Sequence, residues 1–454
     1  MRRTALLAAG LVVSIVSLRV ERARAEEVAP TQAPAATPSP AVPAWRPPPA
    51  GQIGGDDPKP DDSATPYYNA GFVLIPTLKP REVPFRLRLN HVSQFRFTNS
   101  MDVDHTYVTH LGVEREVLRR NDIQLTRDVF YFSGFAFDPR LDFNILIYTS
   151  SATLSATAAG FVGYVFNRAF ALRAGFFSLP SARSMTGTYP FFHSTDRSLA
   201  NNYMRPGFTQ GVWANGELFP GFNYIAMIGN SLNTLDIAAT RIDHNFAYSA
   251  SVWYDLHNFG KEWNDYERHR ELAVRVGTAF TYAREDRLSD LSVSSPENNS
   301  TFISDGTLLF ETGSLATGVT VSLANFYLWA IDIGLKYLGL SFNAELYQRW
   351  LNGFSADGPL PLDSMFDWGL EASLGYFVLQ KRLETYLRTS FIRGPFAKPI
   401  EGAAGFNWYP FNTRNVWLNG EAIAIRHSPY QSVLYAYSSG QTGALFQVQF
   451  ILRF

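Results

Sequence analysis

The sequence predicts an all-β fold: a transmembrane antiparallel barrel of about 16 strands behind a disordered, proline-rich extension. Segment after segment alternates apolar and polar residues at period two, with aromatics gathered on one side and charges on the other. The connections alternate too, a tight turn at one end of a ribbon and a long polar loop at the other. The apolar run near the N-terminus is too short and wrongly flanked for a spanning helix, and no other segment offers the roughly 20 apolar residues that one needs.

Arg2 and Arg3, an apolar run from Ala5 to Leu18 and the small-residue step Ala23-Arg24-Ala25 form an export signal over residues 1–25. Residues 26–83 read as a periplasmic linker. Dense proline fixes φ and removes donors, and apolar groups are too few to offset the entropy of ordering. An extended spacer follows, with peptidoglycan contact as a further use. The barrel is expected over residues 84–454. A formal net charge of -1 gives no electrostatic case for nucleic acid. The chain has no cysteine, which excludes disulfides, thiolate metal sites, cysteine nucleophiles and a lipidated cysteine.

Within the barrel, Phe85, Leu87 and Leu89 oppose Arg86, Arg88 and Asn90. Leu141, Phe143, Ile145 and Ile147 oppose Asp142, Asn144 and Tyr148, and the same holds for Tyr327 to Leu335 and Phe366 to Tyr376. The final ribbon places Phe446, Val448, Phe450, Leu452 and Phe454 on one face and Gln447, Gln449, Ile451 and Arg453 on the other. A soluble sandwich would have to solvate one face of a very large sheet and find a core for the other, whereas a bilayer supplies the apolar partner. Unpaired backbone is prohibitive in hydrocarbon, so the sheet must close, last strand against first. Tight turns fall at Phe137–Leu141, Asn167–Ala169, Phe219–Phe222, Tyr337–Leu340 and Phe411–Asn415, and long loops at Ser178–Pro206, Arg284–Thr307 and Arg426–Ser439.

The stretch Phe170–Leu218 resembles the phosphate-selective porins O and P through Gly175, Pro180, Asp196, Arg197, Ser198, Arg205, Gly211, Val212 and Gly216. Phe259–Arg287 and Ile331–Phe354 are similar to the same family. The resemblance implies a sixteen-stranded homotrimeric porin of the bacterial outer membrane, its third external loop folded into the lumen. It departs from the family at Phe176, Phe177 and Ser178, where a Gln-x-Lys step is usual.

Candidate functional residues follow from the inward faces. Arg86, Arg88, Arg96, Arg173, Arg275, Lys336, Arg349, Arg388 and Arg453 are set against Asp128, Asp142, Glu217, Asp332, Glu345, Asp367, Glu371, Glu384 and Glu421. Such neighbours form structural ion pairs or a selective lining. The third loop carries Arg183, Arg197 and Arg205 against Asp196, with His193 and Tyr189 among further aromatics, and is expected to narrow the path and favour anions. Arg197 has a second reading, as an anchor to a carboxylate such as Asp196. Arg119 and Arg120, which match a paired arginine of that family, add a positive outer mouth.

The expected function is passive diffusion of small hydrophilic solutes, anionic or neutral, with phosphate among the anions; membrane lipid and further copies of the chain are the expected partners, and no cofactor or enzymatic activity is expected. A hydrolase at the barrel rim and a structural envelope barrel are the alternatives. For the first, His257 and His269 flank Glu262, Asp265 and Glu267, a stretch that reads as solvated turn. Asn298–Ser300 satisfies a sequon and also reads as a turn.

Overall fold

The computed structural model describes residues 71–75, 85–235, 237, 245–287, 301–435 and 437–454. The export signal, nearly all of the linker and the sequon lie outside the described residues. Seventeen strands join one sheet. One of them, Phe72–Ile75, is a short addition beside Phe85–Val103, and the other sixteen close into an antiparallel barrel. Each barrel strand pairs with its neighbour in sequence, and Gly443–Arg453 returns to pair with Phe85–Val103. Closure leaves no long edge, which is what a sheet in hydrocarbon requires.

Phe72–Ile75 falls in the stretch read as linker, yet it pairs with Leu87–Leu89 where the last strand has run out. His91 N donates to Phe454 O over 2.8 Å, and the rings of Phe72 and Phe454 meet edge to face at 4.9 Å.

The alternation read from the sequence sets the faces. In the last strand Phe446 and Phe450 are 45% and 40% exposed, while Gln447 and Gln449 are buried toward the lumen. One correction concerns Asp128. The register between Phe85–Val103 and Asn121–Ala136 shifts at Gln94/Phe95, which adds Thr126 to the second strand. An extra residue exchanges the two faces beyond it. Arg127, Val129 and Tyr131 therefore point inward, and Asp128 points outward beside His91, at 2.7 Å.

Two inserts fill much of the lumen. The third loop crosses it and docks on the far wall: Arg183 N donates to Glu345, Leu199 N to Glu401 and Ala200 N to Ser390 Oγ. Its short α-helix, Leu199–Met204, is capped by Ser198, whose Oγ accepts from Asn201 N at 3.1 Å. From the short-turn end, the connection between Ala247–Leu256 and Ala273–Asp286 folds inward. Phe259 lies so close over Gly334 that a Cβ there would sit 2.3 Å from its ring, and Trp263 N bonds Phe191 O at 3.0 Å. The sequence reads that stretch as solvated turn; Phe259, Trp263 and Tyr266 are instead buried.

Candidate channel constriction

With the far wall covered by the third loop, open space remains on the near side. A cavity of about 970 Å³ lies between the loop and the strands Asn121–Ala136, Asp138–Ser150 and Ser155–Asn167. Arg127, Tyr131 and Tyr148 line it from the wall, Tyr189, Arg197 and Arg205 from the loop, and Tyr435 from the last long loop.

The electrostatic centre of this wall is Asp196. Its carboxylate lies 2.7 Å from Arg127, 3.1 Å from Arg96 and 3.8 Å from Arg197. Burial would raise its pKa, but those arginines, Arg127 foremost, outweigh burial and hold it at about 2. Arg205 donates to Tyr435 Oη at 3.0 Å, Pro206 O at 3.0 Å and Asn202 Oδ1 at 3.3 Å, all neutral. Around one carboxylate the fold thus gathers three guanidinium groups, while Arg205 is held by neutral partners. Burial pushes the Tyr435 phenol up, yet Arg205, Arg127 and Arg197 together draw it below its ordinary value.

Of the residues singled out in the sequence, Tyr189, Arg197 and Arg205 border the cavity. Arg197 also lies beside Asp196, donates to Ser184 O and covers the Phe192 ring, contacts that fall within the loop itself. Arg183 does not border it. It donates to Asn343 Oδ1 at 2.7 Å between the rings of Phe259 and Trp263, and burial, then Arg275, lowers it to about 10. His193 is likewise buried, within 2.9 Å of both Ser341 Oγ and Ser373 Oγ. Burial, followed by Arg183 and Lys336, lowers its pKa to about 3, so it is neutral at ordinary pH.

The inward cations of the strands are mostly tied into the wall. Arg173 pairs with Asp142 at 2.7 Å, Arg275 with Asp332 at 2.9 Å, Arg349 with Asp367 at 2.7 Å, and Arg388 with Glu421 and Glu401. Lys336 donates to Phe259 O at 2.7 Å and so fastens the lower insert. Arg88 reaches Ser133 Oγ at 3.4 Å, and Arg86 is half-buried near the short-turn end. At the mouth Arg120 grips Asp122, which offsets the charge of that one arginine, and Arg119 is half-buried. His269 is bonded to Asp265, which also accepts from Gly339 N. Among the described residues no group of three or more His, Asp or Glu is placed to hold a metal ion.

Arg127 and Tyr435 are not singled out by the sequence. The bulge at Thr126 hides the first by reversing its face, and the second lies far along the chain in a loop.

Solved structures with a similar chain path include OmpT, an outer membrane protein of Vibrio cholerae recorded in trimer form, with a TM-score of 0.53 and 10% identity over 82% of this chain and 99% of that one. Its loop L8 deletion mutant gives a TM-score of 0.50 at 10% identity, over 82% of this chain and 99% of that one. The fold is that of an outer-membrane β-barrel. An anion-selective porin from Comamonas acidovorans has a TM-score of 0.49 and 12% identity, over 81% of this chain and 99% of that one. No protein-family model matches the chain, and no curated protein matches it. For this outer-membrane barrel, the resemblance to phosphate-selective porins therefore rests on the residues quoted above.

Proposed function

We propose that this barrel is a porin of the bacterial outer membrane, passing small hydrophilic solutes down their gradients and favouring anions. The observation that supports this reading is the cavity of about 970 Å³ bordered by the third loop, where Arg115, Arg127, Arg197 and Arg205 line the space against Glu116 and Glu311. Low-dielectric walls strengthen the field of such fixed charges on a passing ion. Phosphate enters through the resemblance alone, and the Phe176-Phe177-Ser178 departure gives it no extra cation.

Reconstitution into planar bilayers tests the reading. Stepwise conductance is expected, with a reversal potential under a KCl gradient of the sign for chloride preference. Absence of steps overturns the channel, and the opposite sign overturns the anion preference. OmpT is recorded in trimer form, and we extend that assembly to this chain. Native mass spectrometry in detergent is expected to give three copies.

A further inference from the structure

We infer that the cavity beside the third loop is a saturable binding site for aromatic carboxylates, an inference that rests on the porin reading above. Its first support is an excess of charge, four lining arginines against Glu116 and Glu311. Asp196 is shared by Arg96 and Arg127, while the partners of Arg205 are neutral. Uncompensated guanidinium in a buried place is costly, and an anion from solution would offset that cost.

The second support is a set of polar atoms with no hydrogen-bond partner. Arg127 Nη2, Arg197 Nε, Arg205 Nε and Tyr189 Oη are all buried and unpartnered. All four belong to residues that border the cavity, and all can donate. Buried donors are normally satisfied, and these four leave donor capacity beside one space for an acceptor that a side-chain adjustment would bring into reach.

The walls set the chemical class. Tyr131, Tyr148, Phe177, Tyr189, Phe208 and Tyr435 border the same space. The Arg127 guanidinium lies 5.5 Å from the Tyr189 ring centroid and 5.1 Å from that of Tyr435. A phosphate dianion entering here would shed water against aromatic faces that return no hydrogen bonds. A carboxylate on an aromatic ring meets both kinds of wall, because its oxygens take the orphaned donors while its ring packs on the tyrosines.

The test uses the full chain in planar bilayers, with sodium benzoate as probe and acetate, inorganic phosphate and cyclohexanecarboxylate as comparators. Benzoate is expected to reduce the ionic current saturably, with half-block at a concentration at least about 10-fold below each comparator. Arg205→Gln is expected to raise that concentration about 10-fold. Tyr189→Phe, which removes only an unpartnered hydroxyl, is expected to raise it several-fold and guards against a folding defect in the first variant. Calorimetry of benzoate binding in detergent runs alongside. Benzoate binding without conductance would overturn the channel reading and leave the site standing. Conductance with equal block by benzoate, acetate and phosphate would overturn the site and leave the channel. Loss of both overturns both.

Discussion

Arg127 Nη1 lies 2.7 Å from Asp196 Oδ2, and Arg96 Nη2, on the adjacent strand, lies 3.1 Å from the same oxygen. One loop carboxylate therefore ties the near side of the third loop to two neighbouring staves of the barrel. Asp196→Asn leaves those guanidiniums without their counter-charge. Breaking a buried pair from one side costs about 3–5 kcal/mol. A lower temperature for the heat-induced mobility shift on SDS gels is expected, together with a larger anion-selective reversal potential in whatever fraction stays folded.

Acid should loosen the loop in two stages. His193 is held at about 3 against 6.5 in the free side chain, by burial first and then by Arg183 and Lys336. Asp196 is held at about 2 against 3.8 because Arg127, Arg96 and Arg197 outweigh burial. Both folded values are depressed, so the unfolded chain binds more protons, and stability falls as pH falls. The His193 contribution is complete above pH 6.5 and fades toward 3; that of Asp196 is complete above about pH 4 and fades toward 2. Melting temperature is followed from pH 7 to 2 for the parent chain and for His193→Gln, and the variant is expected to lose less than the parent between pH 6.5 and 4. An unchanged slope there would reject the assignment.

Gly175 stands where the strand Phe170–Ser178 bends toward the third loop, at φ +146°. A Cβ at that position would lie 2.2 Å from Gly160 O, a backbone atom that has no way to rotate aside. Gly175→Ala is expected to cost more than about 1 kcal/mol, since it combines left-handed strain with a steric clash. A comparison of folded yield in detergent with that of Ala174→Gly, on the outer face, checks this.

Trp263 supports the third loop from below, with its ring 4.8 Å from Arg183 and 5.7 Å from Phe192. Trp263→Ala removes a large buried side chain, at a cost of about 3–5 kcal/mol, and empties space at the short-turn end of the lumen. Single-channel conductance is expected to rise and its open-state noise to increase. Unaltered current would show that the lower insert does not bound the path.

Strand faces are legible in the sequence because period two is dictated by the pleat. Gln447 and Gln449 inward with Phe446 and Phe450 outward need no tertiary knowledge. Asp128 and Arg127 exchange faces against that pattern because a single added residue, Thr126, has no composition signal. Arg183 looks like a lining residue, since nothing local announces Asn343 and Trp263 as its neighbours. The lower insert does carry a signal: Phe259, Trp263 and Tyr266 are an unusual load for a solvated turn, and their burial explains them.

Because the third loop is welded to the wall running from Val321 to Arg426, that arc of the barrel is screened from the open cavity. On the porin reading, substitutions in that screened arc register in fold stability, and those at the cavity-lining positions Tyr131 and Tyr148 register in what is admitted. On that reading chassis and sieve are separate sets of residues that meet at Arg127, so most of the second is open to retuning without loss of the first.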